Sequence, residues 1–192
     1  MKKIYLGLGM FAFLQSCEMT AGYSKPCRDE KGGIKSVYFI QLEHISSMTV
    51  SASKEVTAIV LTAPSGGTAR AWRYKLEMNL SSFTDTLTGS RDNGTLFSAQ
   101  QLTMILNDNR QATRNQLMLL AQNDLVAIVE LANGDFEMLG AYNGLTLTTD
   151  ERASGVIKSD RSGHTITMDG QEDELAFKVD STIIAGLVIP VS

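Results

Sequence analysis

The residues that could perform acid–base or nucleophilic chemistry are few and lie far apart. The chain has 192 residues but only 2 His and 2 Cys, so a nucleophile–base pair would have to use His44 or His164. His164 follows Gly163 within a stretch of strand character, where we expect a surface or cross-strand role. His44 stands beside Glu43 at a predicted strand end. A solvent-exposed position there explains a histidine as well as a catalytic role does. We therefore expect no catalytic residue and no enzyme activity.

Motifs that bind phosphate, activate a serine or hold zinc are missing from the sequence. There is no G-x-S-x-G, no phosphate-binding glycine loop and no H-E-x-x-H. The densest acidic run, residues 172–174, lacks the alternating oxygen ligands of a Ca²⁺ loop, so we interpret it as a solvated turn. Arg70, Arg73 and Lys75 form a basic stripe too small for nucleic-acid binding, and a cross-strand or intersubunit salt link is the expected use. We predict no metal and no cofactor.

The composition is that of one globular domain. Hydrophobic residues make up 43% and charged residues 20% of the chain, which suffices for a core. With 17 Lys and Arg against 21 Asp and Glu, the net charge of -4 argues against a basic surface that wraps nucleic acid. Residues 19–192 contain no repeat and no low-complexity linker. We predict a single domain over this range.

Residues 1–18 form a separate, signal-like segment. Lys2 and Lys3 precede an apolar stretch, residues 4–14, which is shorter than the roughly 20 residues that span a bilayer. The ending Leu-Gln-Ser-Cys resembles a bacterial lipobox, in which Cys17 would be lipidated after cleavage. Two other interpretations are open: translation beginning at Met19, and an N-terminal arm that packs on a neighbouring subunit.

Alternation with period two is the dominant pattern of the body and predicts strands. Residues 34–40 are apolar on both sides of the alternation, which predicts a strand buried on both faces. Residues 72–80 alternate most cleanly and predict one long half-buried strand. Further strands are predicted at residues 56–62, 95–106, 125–131, 135–139, 145–148, 164–168, 174–179 and in the apolar tail, 182–191.

Local turn and cap signals complete the predicted fold. Asn93-Gly94 and Asn133-Gly134 are typical of hairpin turns, and Asp169-Gly170 is interpreted as another turn. Only residues 109–122, free of Gly and Pro, predict a helix, with Leu117 and Leu120 on its apolar face. The sequence thus predicts a mainly β fold: two packed antiparallel sheets, as a β-sandwich or open barrel, with one α-helix.

Several of these strand and turn sequences carry a resemblance to a known family. They lie at residues 20–23, Cys27, 32–39, 72–79, 82–85, 93–95, 119–122, 126–130, 133–134 and 140–144. In this set the chain resembles phage tail tube proteins, encoded by phages and prophages of Bacteroidota-type bacteria. The resemblance covers roughly residues 19–180.

The resemblance implies a structural role without catalysis. Tail tube subunits close into hexameric rings, and the rings stack into a hollow tube through which DNA leaves the capsid. The implied partners are other copies of the chain, further tail proteins such as a tape measure, and DNA that passes without sequence-specific binding. The implied location is the virion tail, assembled in the host cytoplasm, where no signal peptide is needed.

Assembly contacts are expected in polar loops and at the ends of the chain. We expect them in the loops 44–55 and 63–71, in the arm 20–33 and in the tail 182–191. The candidate contact residues are Tyr23, Ile34, Tyr38, His44, Ser51, Gly66, Gly67, Trp72, Arg73, Ile184 and Val188. The alternative is a lipidated or secreted β-sandwich surface protein anchored to a membrane through Cys17.

Overall fold

The structure, a computed structural model, describes residues 22–23, 31–63 and 69–188. Within these ranges the chain forms eleven strands, two α-helices and one 3-10 turn, Leu42–His44. The strands are β1 Ile34–Gln41, β2 Ile45–Val50, β3 Glu55–Leu61, β4 Trp72–Lys75, β5 Ser82–Ser90, β6 Thr95–Leu106, β7 Leu125–Leu131, β8 Phe136–Leu139, β9 Thr146–Ala153, β10 Gly163–Glu172 and β11 Phe177–Val179. The helices are α1 Gln111–Ala121 and α2 Ser181–Leu187.

The strands form two sheets. The larger has seven strands in the order β2-β3-β11-β8-β7-β1-β4, and the smaller has four in the order β5-β6-β10-β9. All pairs of neighbouring strands are antiparallel except β11 and β3, which are parallel. The predicted mainly β fold with two packed sheets is confirmed.

Apolar side chains pack on both faces of the larger sheet. On one face Phe39, Val129 and Leu139 meet Leu102 and Ile166 of the smaller sheet, which forms the core between the sheets. The opposite face is covered in part by α2, with its own cluster that includes Ile40, Ile128, Met138, Phe177 and Ile184. Strand β1 therefore contributes to two cores, and the prediction that it is buried on both faces is confirmed.

The local signals for hairpins and for α1 are also confirmed. Asn93-Gly94 lies in the turn between β5 and β6, and Asn133-Gly134 in the turn between β7 and β8. Gly94 and Gly134 have φ values of 65° and 97°, the conformation for which glycine is preferred in such turns. Leu117 and Leu120 of α1 are buried in the core between the sheets.

The apolar tail is a helix over most of its described length, so the prediction of a strand and of a single α-helix is wrong there. Asp180 caps α2, because its carboxylate accepts a hydrogen bond from the backbone N–H of Thr182 at 2.9 Å. Ile184 and Leu187 are three residues apart, so they share one helix face and are buried against the larger sheet. Residues 189–191 of the tail lie outside the described residues.

Three further predictions are corrected by the backbone. The strand expected over 72–80 ends at Lys75, and Asn79 adopts a φ of 65° in a turn that leaves Met78 exposed. The loop expected over 44–55 contains β2, paired with β3. The turn expected at Asp169-Gly170 is absent, because β10 runs straight through it, and a Cβ on Gly170 would lie 2.6 Å from the Gly144 carbonyl oxygen.

Candidate assembly surfaces

The two histidines lie in different environments. His164 is 3% exposed, and its Nδ1 lies 2.8 Å from Oδ1 of Asp150 on the neighbouring strand β9. Of the two expected roles, surface or cross-strand, the structure shows the cross-strand one. The His44 side chain is 17% exposed and lies 3.9 Å from a carboxylate oxygen of Glu43. Among the described residues, no group of three or more His, Cys, Asp or Glu could hold a metal ion.

The acidic run 172–174 is a solvated turn only in part. Glu172 is 4% exposed, and its Oε1 accepts hydrogen bonds from the backbone N–H groups of Tyr142 and Asn143 at 3.0 and 2.8 Å. Gln100 of β6 accepts a third, from the N–H of Gly140, at 2.8 Å. Two strands of the smaller sheet thereby hold the loop that enters from the larger sheet. The Glu172 carboxylate therefore has a structural role, because it holds this loop against the smaller sheet.

The outer strands of the two sheets differ in charge. β4 carries Arg73 and Lys75 in only 4 residues, and β9 carries the sequence Asp150-Glu151-Arg152. Such charges keep an edge strand from pairing with a foreign strand. β2 has none over its 6 residues, and β5 has only Asp85 among 9.

Asp85 is not available to protect the β5 edge. Its carboxylate accepts a hydrogen bond from the backbone N–H of Ala176 at 2.6 Å and another from the Ser98 hydroxyl. Both partners belong to the same chain, so the carboxylate is committed to the fold. β2 and β5 are therefore the two outer strands whose sequences do least to prevent sheet extension by another chain.

The hairpin of β5 and β6 adds an uncovered apolar patch. Leu87 pairs with Ser98 and Leu96 pairs with Gly89, so the two leucines are diagonal neighbours on one face of the hairpin. They are 50% and 62% exposed, whereas Leu102 and Met104, farther along the same face of β6, are fully buried. The hairpin thus extends past the part of the sandwich that covers its apolar face.

The basic stripe makes contacts within its own sheet. The Arg73 guanidinium donates two hydrogen bonds to the Ser36 hydroxyl, at 3.2 and 3.0 Å, and lies 3.6 Å from a carboxylate oxygen of Glu130. The Tyr38 hydroxyl donates to the same carboxylate at 3.2 Å, and burial is the main reason that its pKa is raised. The cross-strand salt link expected of this stripe is present.

The candidate contact residues differ in how much of their surface is exposed. Ile34, Tyr38 and Ile184 are buried within the chain's own cores, so their side chains offer almost no surface to a second copy. Tyr23 and Trp72 are exposed, and the Arg70 guanidinium lies 4.7 Å from the centre of the Trp72 ring. Outside the described residues lie Gly66, Gly67 and the lipidation candidate Cys17.

Ser51 and Val188 lie at ordered points of the backbone. Ser51 turns the chain between β2 and β3, where its hydroxyl accepts a hydrogen bond from the N–H of Glu55 at 3.2 Å. Val188 follows α2 and pairs with Ala71 in a parallel bridge next to β4. Both positions are partly exposed, which is compatible with a contact to another chain.

No family model matches this sequence, and neither a curated protein nor a solved structure matches it. Within the described parts of the chain, neither helix is long and apolar enough to cross a membrane.

Proposed function

We propose that this chain is a structural subunit of a phage tail tube, which assembles with copies of itself into stacked rings around a channel for DNA. Rings of this kind are hexameric in the family that the sequence resembles. The observation that carries the proposal is the pair of outer strands, β2 and β5, that lack protective charge. A subunit that extends its sheets into neighbouring copies needs such edges, whereas a monomer protects them.

The exposed apolar patch of the β5–β6 hairpin supports the same proposal. Leu87 and Leu96 lie beside the β5 edge. A second copy that pairs with β5 would also cover these side chains, so backbone pairing and apolar burial would stabilise one interface.

The outer face of the smaller sheet suits a channel wall. A shallow groove of about 680 Å³ on this sheet is lined by residues that include Thr84, Thr86, Gln101, Thr146 and Asp169. No Lys or Arg is among the residues that line it. Phosphates bind proteins chiefly through Lys and Arg, so DNA would slide past such a face without being held.

The test is to purify the full chain and to examine it by light scattering and negative-stain electron microscopy. We expect rings or tubes that form more readily as concentration rises, with a small multiple of the 20.9 kDa chain as the unit. A chain that stays monomeric at all concentrations, with and without a tape-measure partner, would contradict the proposal.

The alternative, a lipidated or secreted surface protein, rests on the Leu-Gln-Ser-Cys sequence that ends at Cys17. Metabolic labelling with a fatty acid separates it from the tail tube proposal. Label that is incorporated and then lost in Cys17→Ala would favour the alternative, and a chain that is neither labelled nor cleaved would exclude it.

A further inference from the structure

We propose that Val156 and Ile157 of one copy insert into an apolar cleft beside α1 of the next copy. This inference rests on the proposed self-assembly and names the surfaces that join consecutive subunits. The two side chains lie in the β9–β10 loop, residues 154–162, and the cleft is formed by the second half of α1 with β1 and β4.

The β9–β10 loop presents two aliphatic side chains to solvent. Val156 is 95% exposed and Ile157 is 65% exposed, the highest and third-highest values among the exposed large hydrophobic residues described. Neighbouring aliphatic residues so fully exposed have no role in the core of their own chain. They are the kind of side chain that a partner covers.

The backbone of this loop is held in one conformation. The Asp160 carboxylate accepts hydrogen bonds from the backbone N–H groups of Val156 and Ile157, at 2.8 and 3.0 Å. The Asp160 N–H donates to the Ile157 carbonyl at 3.0 Å, and Gly155 has a φ of 72°. A contact made by an ordered loop loses less conformational entropy on binding than one made by a flexible loop.

A matching apolar surface exists on the same chain. The α1 cleft has a volume of about 380 Å³. Its apolar lining comes from Phe39, Trp72, Tyr74, Leu119, Leu120 and Leu125. A cavity of about 150 Å³ holds benzene, so this cleft has room for one Val and one Ile side chain. Trp72 and Leu119 are each 54% exposed, so they gain burial if the cleft is filled.

The charges around the two surfaces allow one complementary pair. Lys158 and Arg161 follow the two aliphatic residues and are exposed. Glu43 and Asp124 are also exposed and directly adjoin His44 and Asn123, which line the cleft. The loop also carries Asp160, and the Arg70 guanidinium lies over the Trp72 ring of the cleft. Lys158 of the loop would pair with Glu43, whose carboxylate lies 3.9 Å from the side chain of the cleft residue His44, and this pair would orient the contact.

The base of the loop and the cleft lie at opposite ends of α1, and the exposed side chains of Val156 and Ile157 do not fill the cleft of their own subunit. The β9–β10 loop is tied to Asn109, just before α1, because the Asn109 amide donates to the Ala153 carbonyl at 3.4 Å and to the Ser162 hydroxyl. The cleft is lined by Leu119 and Leu120, about 16 Å farther along the helix axis at 1.5 Å per residue. When each subunit gives its loop to one neighbour and its cleft to another, the contact is head-to-tail and produces rings or filaments.

A disulfide between chains tests the contact directly. Full-length Ile157→Cys and Leu119→Cys chains are mixed, assembled and oxidised, and the linked peptides are identified by mass spectrometry. We expect a disulfide between positions 157 and 119 of different chains in the mixture, and no 157–157 or 119–119 disulfide in either variant alone. Assemblies that form without this disulfide would overturn the inference and leave the proposed self-assembly intact. A wild-type chain that never assembles would overturn both.

A charge substitution gives a second measurement. The double variant Val156→Asp with Ile157→Asp should fold as the wild type does, because both side chains are exposed, and should raise the concentration needed for assembly at least about tenfold. The control is Met78→Asp, at a 62% exposed methionine in the turn after β4 and outside the cleft lining, and it should assemble normally. Normal assembly of the double variant would overturn the inference. The reactivity of the thiol in disassembled Leu119→Cys chains is a further test. An unreactive thiol would also overturn the inference, because it would show that another part of the same chain already fills the cleft.

Discussion

The buried carboxylate of Glu172 accepts a hydrogen bond from the backbone N–H of Asn143 at 2.8 Å and thereby joins the two sheets of the sandwich. Asn143 belongs to the loop that leaves β8 of the larger sheet, and Glu172 ends β10 of the smaller one. The connection therefore depends on an ionisable side chain as well as on apolar packing.

Replacement of Glu172 by Ala should destabilise the fold. Two backbone N–H groups would lose a charged acceptor, and each such hydrogen bond contributes about 1.5–3 kcal/mol. We expect the free energy of unfolding in urea to fall by about 3–6 kcal/mol. The matched control is Glu174→Ala, because the Glu174 side chain is 45% exposed and its one contact among the described residues is a surface ion pair with Lys54. Its loss should cost under about 1 kcal/mol. Equal losses in the two variants would refute a structural role for Glu172.

Removal of the Asp150 carboxylate should lower the free energy of unfolding, because buried His164 would lose its hydrogen-bond partner. His164 Nε2 has no hydrogen-bond partner within the described residues, so in Asp150→Ala neither ring nitrogen would retain one. We expect a loss of about 1–3 kcal/mol in unfolding free energy. In a His164→Leu background the same Asp150 substitution should cost less, and that difference measures the pair. Identical costs in both backgrounds would show that the two side chains are not coupled.

A charge on the β5 edge should prevent assembly without unfolding the subunit. Thr86→Lys places a cation at an exposed position of this strand, and lysine on an edge strand opposes pairing with another chain. We expect rings and tubes to disappear from electron micrographs while the circular dichroism spectrum stays unchanged. Thr149→Lys on β9, an outer strand that already carries charges, is the control and should assemble. Rings formed by Thr86→Lys would rule out β5 as an interface strand.

Acid should weaken the hydrogen bonds that hold the β9–β10 loop in its conformation. The backbone N–H groups of Ile157 and Val156 hold the pKa of Asp160 below its ordinary value of 3.8. The folded-state pKa is depressed, so the stabilisation is present above the ordinary pKa and is lost as the pH falls through the folded value. An NMR titration of the Asp160 carboxyl carbon should give a midpoint below 3.8, with the Val156 and Ile157 amide signals shifting at the same midpoint. A midpoint at or above 3.8 would contradict these hydrogen bonds.

Local sequence signals were enough to predict the elements that are stabilised by contacts between residues near in sequence. Asn93-Gly94 and Asn133-Gly134 predict their hairpins because the turns need backbone conformations that glycine adopts without strain. The spacing of Leu117 and Leu120 predicts the buried face of α1. The apolar residues on both sides of β1 predict its position inside the larger sheet.

The tertiary structure decided the elements whose stabilising partners are distant in sequence. The apolar tail has strand-like composition, but Ile184 and Leu187 pack on the larger sheet with helical spacing. From the sequence, Glu172 is predicted to lie in a solvated turn. In the folded chain it is buried, because the loop at Tyr142 and Asn143 supplies two N–H donors. Folding also sets the positions of the β9–β10 loop and the α1 cleft. The loop is tied to the start of α1 and the cleft lies at its end, an arrangement that the sequence does not reveal. Alternation and turn signals are properties of neighbouring residues, whereas burial and pairing depend on which distant segments meet.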